Sequence, residues 1–237
     1  MKLLAIDTST NRFSVAVSQD EKILAEKNIV LTKVLENSII PVIDEVLKKA
    51  KVSLSQLEGF AVGLGPGSFT SLRVGLSTVK AFCLATGKPV VGISSLDIIA
   101  DGFRHKGGYI CVLTDARRNM VYGCLYQADG ESIKRRSDYL LVPVEEILGR
   151  ISEDTVFAGD AVEIYKGRII SDGKNKFNAV FAPKNSWRPD SRHLIRLSLK
   201  RFKVATTDNP HKLLPLYLYP EDCQVNKGDV IKVTDTF

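Results

Sequence analysis

The chain has 237 residues, of which 44% are hydrophobic and 25% charged, as in an ordinary globular protein. Four cysteines form no CxxC pair and three histidines lie far apart, which argues against a disulfide framework and a histidine-based metal site. No stretch approaches the roughly 18 apolar residues of a membrane span, and the first residues show no signal-peptide pattern, so we expect a cytoplasmic protein.

Three apolar runs at the start of the chain, residues 2–6, 13–18 and 22–30, predict a meander of β-strands. A helix is predicted next, from Val34 to Lys51. Pro41 should kink it or start a new turn, because proline removes one backbone hydrogen bond. Its predicted apolar face consists of Leu35, Ile39, Val42, Ile43, Val46, Leu47 and Ala50.

A strand, a glycine-rich turn and a second helix follow. Phe60 to Leu64 is an apolar run, and Gly65-Pro66-Gly67 ends it. Ser68 or Thr70 can cap the helix by accepting a hydrogen bond from a first-turn amide. Helical spacing then relates Phe69, Leu72, Leu76, Val79 and Phe82.

A stripe of small residues on this second helix, Ser71, Gly75 and Thr78, has more than one interpretation. It can make room for another part of this chain, or for a helix of a partner protein. The turn before it can also hold a phosphate, because free amides at a helix start favour an anion. The spacing alone leaves all three interpretations open.

The second half of the chain predicts a similar series of elements. After strand 90–93 and a helix from Ser94, capped by Ser94 and Asp97, Gly107-Gly108 marks a boundary. The predicted elements beyond it are strands 109–114, 120–126 and 131–141, a helix from Val144 to Ile151 with Pro143 at its first position, strands 155–158 and 178–182, and a helix from Arg192 to Val204. The tail from Asp208 offers little regular structure.

A repeated β-β-β-α-β-α order predicts an α/β protein with two ribonuclease-H-like lobes, residues 1–106 and 107–237. The actin, sugar-kinase and chaperone-ATPase superfamily has this plan. Its kinases place a carboxylate at each of two hairpin turns, beside phosphates and a metal. By position these would be Asp7 and Asp115, although either can simply cap its turn.

Only part of the residue set that a nucleotide site needs is present in this sequence. Ser9, Gly65, Gly67 and Ser68 could form the first-lobe part of a vestigial site, but the second-lobe candidate loop 157–161 has a single glycine. No nucleophile, base or metal set is apparent, so we expect neither catalysis nor a cofactor.

Positive charge is concentrated in one part of the chain. Residues 134–203 hold 15 Lys and Arg against 9 Asp and Glu, whereas the remainder holds 18 of each. Such an asymmetry favours an acidic partner. A series of basic residues spaced by four predicts either a contact with tRNA or a solvated helix face. Its members are Lys184, Arg188, Arg192, Arg196 and Lys200.

The segment from Gly65 to Leu76, GPGSFTSLRVGL, closely resembles the hallmark of the TsaB family, also called YeaZ. The opening from Met1 to Thr10 resembles the family as well, and the likeness is strong over about the first 125 residues. The family usually has glycine where Ser71 stands, and often His-Ser-Glu where this chain has Glu36-Asn37-Ser38. Those departures put the choice of partner in doubt.

The resemblance implies a non-catalytic subunit for the synthesis of threonylcarbamoyladenosine on tRNA. Such a subunit pairs with and activates a catalytic paralogue, TsaD, whose metal-binding histidines on the first helix have no counterpart here. An ATPase subunit, TsaE, would join the pair, tRNA would be reached through the complex, and the chain alone could form a homodimer. The implied interface residues are Leu35, Ile39, Ile43, Ser71, Leu72, Val74, Gly75, Thr78 and Val79. The alternative is a phosphotransferase or ATPase that uses Asp7 and Asp115.

Overall fold

The computed structural model describes residues 1–30, 39–174 and 176–219. The first half contains five strands in the order β3-β2-β1-β4-β5, with β1–β2–β3 antiparallel and β4 and β5 parallel to β1. Its elements are β1 (Lys2–Asp7), β2 (Arg12–Gln19), β3 (Lys22–Val30), α1 (Ile39–Ala50), β4 (Gly59–Gly63), α2 (Phe69–Thr86), β5 (Val90–Ile93) and α3 (Ser95–Asp101).

The second half repeats this arrangement. Its sheet has the order β11-β10-β6-β7-β8, and β9 also pairs with β7. The elements are β6 (Gly108–Asp115), β7 (Val121–Ala128), β8 (Ile133–Arg135), β9 (Leu140–Val142), α4 (Val144–Leu148), β10 (Thr155–Ala158), α5 (Ala161–Gly173), β11 (Ala179–Phe181) and α6 (Ser191–Lys203). The predicted α/β class and the repeated ribonuclease-H-like plan are confirmed.

Several local predictions need correction. The predicted strand 131–141 is two short strands, β8 and β9, and helix α5 was not predicted at all. Pro143 is the N-cap of α4, one position before the first turn. Ser94 caps α3 as predicted, but the Asp97 carboxylate accepts hydrogen bonds from the Tyr126 and Tyr139 hydroxyls. The predicted start of the first helix, with Leu35, lies outside the described residues.

Helices cover both faces of the first sheet. On one face, α1 and α2 bury Ile43, Val46, Leu76 and Val79 against strand residues such as Phe60. Ile40 lies off this face, as predicted, and half of its surface is exposed. The glycine predicted to end α2, Gly87, has the left-handed conformation of a helix C-cap.

The last helix of each half packs between the two sheets. From α6, Leu194, Ile195 and Leu199 pack against first-sheet residues, together with Ile98 of α3. The next residue of α3, Ile99, belongs to the core of the second sheet. Helix α6 belongs to the second half of the chain but packs on the sheet of the first half, so the two halves share a core in the region of α3 and α6, which we call the base. The division at residue 106 therefore stays a prediction.

A buried ion cluster joins α3 to α6. Asp101 is fully buried, and its carboxylate accepts hydrogen bonds from the Arg196 guanidinium on both oxygens. His193 Nδ1 lies 3.1 Å and Arg104 Nη1 lies 3.5 Å from Asp101 Oδ2. Burial lowers the pKa of His193 below its ordinary value. The cluster therefore places His193 beside a carboxylate that is already paired with Arg196.

Candidate functional site

A cleft of about 700 Å³ opens between the two lobes, at the carboxyl ends of β1 and β6. Its first-lobe wall includes Ser9, Gly67 and Ser68 from the vestigial site, and its second-lobe wall includes Asp115. Asp7 is fully buried, and Gly65 is buried as well. The structure thus brings the six predicted residues to one place, four on the surface of the cleft and two behind it.

Asp7 is held entirely by residues of this chain. Its Oδ1 accepts hydrogen bonds from the Ser9 amide at 2.8 Å and the Ser9 hydroxyl at 2.7 Å. Its Oδ2 accepts from the Ser95 hydroxyl at 2.7 Å, and Ser95 in turn accepts from the Gly65 amide at 3.1 Å. Burial raises the pKa of Asp7, and the hydrogen bonds from Ser95 and Ser9 oppose that rise. This carboxylate ties the β1–β2 turn to the glycine-rich turn and to α3.

The glycine-rich turn lies directly against the β1–β2 turn. A Cβ built at Gly67 would overlap the Ser9 carbonyl oxygen, and the Ser68 amide donates to that same oxygen at 2.8 Å. Ser68 is the N-cap of α2, as predicted. In the described part of the chain, however, its hydroxyl donates to Ser71 Oγ at 3.0 Å and caps no first-turn amide.

Asp115 lies at the corresponding position of the second lobe and is less enclosed. Its side chain is 23% exposed, and Oδ1 accepts a hydrogen bond from the Arg117 amide at 2.9 Å. The Asp115 amide donates to Asp160 Oδ1 at 3.0 Å. Burial raises the pKa of Asp160, which also lines the cleft. Asp160 lies in the candidate loop 157–161, but neither its carboxylate nor the cleft residue Tyr122 was singled out, because their positions depend on which strands become neighbours.

Most of the predicted interface residues face the interior of this chain. Ile39, Ile43, Leu72 and Val79 are each at most 2% exposed. Ser71, Val74 and Thr78 are partly exposed, and Leu35 lies outside the described residues. The buried four have no surface to offer a partner, because α1 and α2 turn these side chains toward their own sheet.

Gly75 is packed by this chain. A Cβ built on Gly75 would overlap Thr8 Oγ1 and lie 3.0 Å from Thr8 Cγ2. Thr8 Oγ1 also donates to the Ser71 carbonyl at 2.7 Å. The β1–β2 turn therefore packs over Gly75, which favours the interpretation that this glycine makes room for another part of the chain, and the predicted partner interface stays a prediction.

The side of α2 that points away from the sheet carries a different stripe, which we call the α2 outer face. Its exposed residues fall at helical spacing and are Thr70, Arg73, Ser77, Ala81 and Leu84. Leu84 is 62% exposed, and Ile40 of α1 is 50% exposed. The α2 outer face combines small residues with one exposed leucine, and it was not predicted.

The basic series does not form a row of unpaired cations. Arg196 pairs with buried Asp101, Arg192 with Asp190 and Glu26, and Lys184 with Glu163. Arg188 is partly buried, and Lys200 is exposed. The predicted contact of these residues with tRNA remains a prediction, with most of the charge already compensated inside the chain.

Two further features concern the chemistry available to the chain. Within residues 1–30, 39–174 and 176–219, no group of three or more His, Cys, Asp and Glu side chains could hold a metal ion. Cys83, Cys111 and Cys124 are buried free thiols, whereas Cys223 lies outside this range. Among the described helices, none combines the length and the hydrophobicity that a membrane span requires.

The chain is similar in sequence to proteins of tRNA threonylcarbamoyladenosine biosynthesis. Residues 29–210 match the family model "TsaD: tRNA N6-adenosine threonylcarbamoyltransferase". The tRNA threonylcarbamoyladenosine biosynthesis protein TsaB of Escherichia coli K12 is 31% identical over 186 residues, which is 73% of this chain and 80% of that protein.

Solved structures give the same fold. A Pseudomonas aeruginosa protein described as similar to the peptidase YeaZ superposes with a TM-score of 0.80 at 24% identity, over 92% of this chain and 99% of that one. The Lmo2764 protein of Listeria monocytogenes, assigned to the N-acetylmannosamine kinases, gives a TM-score of 0.50 at 10% identity, over 86% of this chain and 100% of that one. The chain shares its overall fold with these two structures, and it belongs to the TsaB (YeaZ) family of tRNA threonylcarbamoyladenosine biosynthesis proteins.

Proposed function

We propose that this chain is a non-catalytic subunit that pairs with the catalytic paralogue TsaD and activates it for threonylcarbamoyl transfer to tRNA. In this proposal the ATPase subunit TsaE joins the pair, and tRNA is reached through the assembly in the cytoplasm. The chain itself supplies a protein surface and no reacting group. In the absence of TsaD, the same surface pairs two copies of the chain.

The observation that carries the proposal is the enclosure of Asp7. A carboxylate that serves a metal-bound nucleotide must present free oxygen lone pairs to the cleft. Both oxygens of Asp7 are instead bonded to Ser9 and Ser95, and the side chain has no exposed surface. The group at the first catalytic position of the superfamily therefore acts as a structural tie.

The α2 outer face is the surface that we assign to the partner. Small side chains at Ser77 and Ala81 allow close approach of a second helix, and the exposed Leu84 supplies apolar area on the same face. Among the predicted interface residues, the partly exposed Ser71, Val74 and Thr78 border this face. The buried residues of α1 and α2 pack against the sheet of the first lobe.

Co-expression with TsaD from the same genome, followed by size-exclusion chromatography with light scattering, tests the pairing. The wild-type chain should form a stable complex, and Ser77→Arg on the α2 outer face should abolish it. Ser171→Arg, on an exposed position of α5, is the matched control and should leave the complex intact. A complex that survives Ser77→Arg would place the interface elsewhere. Gly75→Arg is unsuitable, because its side chain would displace Thr8.

A nucleotide-binding phosphotransferase or ATPase is the second candidate function. The cleft of about 700 Å³ favours it, since the first turn of α2 and Asp115 line opposite walls. Calorimetry with magnesium-ATP discriminates the two. Micromolar binding that is lost in Asp115→Ala would support an enzyme, and the absence of binding heat would support the accessory role.

A further inference from the structure

The segment after α6 returns along the edge of the first lobe. The Asp208 carboxylate accepts a hydrogen bond from the Gly92 amide at 2.7 Å and pairs with Arg201 at 3.0 Å. Leu213 is then buried in the core beneath α1 and α2. We call residues 213–219 the tyrosine strap, because their sequence Leu-Leu-Pro-Leu-Tyr-Leu-Tyr alternates tyrosine with leucine at its end.

The strap is attached to the first lobe by its central residues. The Leu216 amide donates to the Leu64 carbonyl at 2.7 Å, at the end of β4. The Tyr217 ring lies 5.4 Å from the Phe69 ring, and its hydroxyl accepts a hydrogen bond from Arg73 Nε at 3.0 Å. The Arg73 guanidinium lies 3.8 Å from the centre of the Phe69 ring. These contacts fix Tyr217 on the first turn of α2.

The last residue of the strap contacts the second lobe. The Tyr219 hydroxyl donates to the Ala116 carbonyl at 3.1 Å, and the Tyr219 ring meets the edge of Tyr122 at 6.3 Å between ring centres. Ala116 follows Asp115 in the β6–β7 turn, and both Ala116 and Tyr219 line the cleft. Two residues of one short segment therefore contact opposite sides of the cleft.

We propose that the tyrosine strap is a lock that holds the two lobes together at the mouth of the cleft. At the base, α3 and α6 already join the lobes through the cluster around Asp101. A hinge at the base alone would let the mouth open, as in enzymes whose domains close around a ligand. Because the strap joins the first turn of α2 to the β6–β7 turn, the mouth opens only when Tyr217 or Tyr219 releases its partner.

The β6–β7 turn offers a direct readout in the full-length chain. Arg117 is 88% exposed in this turn, and Arg118 follows it, so trypsin can report how often the turn is released from Tyr219. Cleavage after the exposed Lys22, the first residue of β3 in the first lobe, serves as the internal reference. Global unfolding exposes both sites and raises both rates, whereas release of the β6–β7 turn raises only the rate of cleavage after Arg117 and Arg118.

Tyr217→Ala is the decisive variant, because it changes a contact of the first lobe and is read in the second. The lock predicts that the rate ratio rises about fivefold, as expected when contacts of this kind are lost. Tyr219→Ala should give a similar rise, and the double variant should give no more than the larger single change, since either one releases the same lock. Tyr109→Phe, at the far end of β6, should leave the ratio unchanged.

The opposite results would overturn the lock. An unchanged ratio in Tyr217→Ala would mean that the two tyrosines make separate local contacts. Effects that multiply in the double variant would mean the same. If Tyr217→Ala does not fold, Tyr217→Phe keeps the ring and removes only the hydrogen bond from Arg73. It should raise the ratio about twofold, and no change would reject the proposal.

Discussion

The two hairpin turns that face each other across the cleft occupy the same position in the repeated fold but have different surroundings. Asp7 ends β1 with no exposed surface and three hydrogen bonds from Ser9 and Ser95. Asp115 ends β6 with 23% of its side chain exposed, and its carboxylate accepts from the Arg117 amide and pairs with the Arg117 side chain. Equivalent carboxylates have thus become a buried tie in one lobe and a surface turn residue in the other.

The difference comes from what packs behind each turn. In the first lobe, α3 supplies Ser95, and the glycines of β4 and the following turn allow the backbone to approach Asp7 and Ser9 closely. In the second lobe, the corresponding space is shared by Asp160 and the cleft. The position in a repeated fold therefore predicts where a carboxylate stands, and its neighbours determine what it can do.

Removal of the two carboxylates should give the largest contrast. Asp7→Ala leaves the Ser9 amide and two hydroxyls without their acceptor, so we expect a loss of about 3 kcal/mol in the free energy of unfolding. Asp115→Ala, the control at the equivalent position, should cost about 1 kcal/mol or less. Urea denaturation followed by circular dichroism measures both. Equal losses would show that the two turns are equally structural.

Two helical glycines extend the comparison to packing. Gly75→Ala should destabilise the chain by about 2 kcal/mol, because the added methyl group overlaps Thr8 in the first-lobe turn. Gly167 of α5 has no atom within 4 Å of a built Cβ, so Gly167→Ala should stabilise by about 0.5–1 kcal/mol through helix propensity. Thermal denaturation compares the two variants. A stabilising Gly75→Ala would contradict the close approach of Thr8.

The base of the lobes gives a smaller, pH-dependent effect. Burial lowers the pKa of His193 in the folded state, with Asp190 opposing that shift and Arg104 and Arg192 adding to it. The unfolded chain then binds more protons below about pH 6.5, so stability falls as the pH drops from there through the folded pKa. His193→Gln should flatten this part of the profile of urea midpoint against pH. An unchanged slope would mean that His193 is not the responsible group.

Much of this arrangement could be predicted from local sequence signals. Alternation and helical spacing located β1, β2, β4 and α2, and the repeated order placed Asp7 and Asp115 at the corresponding turns. Burial of Asp7 could not be predicted, because Ser95 lies 88 residues further along the chain. For the same reason, the spacing left open whether Gly75 makes room for a partner helix or for another part of this chain, and in the structure Thr8 packs against it.

Other features gave weak or misleading signals. Helix α5 was missed because Gly167 interrupts it and because Ile164 and Ile170 are exposed and obscure its apolar face. The Leu-Tyr alternation at the end of the strap was a usable signal for an extended segment, but it did not identify Leu64 and Ala116 as its partners.

The measurement that tests the central claim most directly is nucleoside mass spectrometry of tRNA modified by the reconstituted complex, with three forms of this chain. We expect Asp115→Ala to support as much threonylcarbamoyladenosine formation as wild type, because the cleft carries no reaction. Ser77→Arg should abolish the modification, because TsaD cannot pair with the altered α2 outer face. Modification that is lost in Asp115→Ala and retained in Ser77→Arg would contradict the accessory role and assign the chemistry to the cleft.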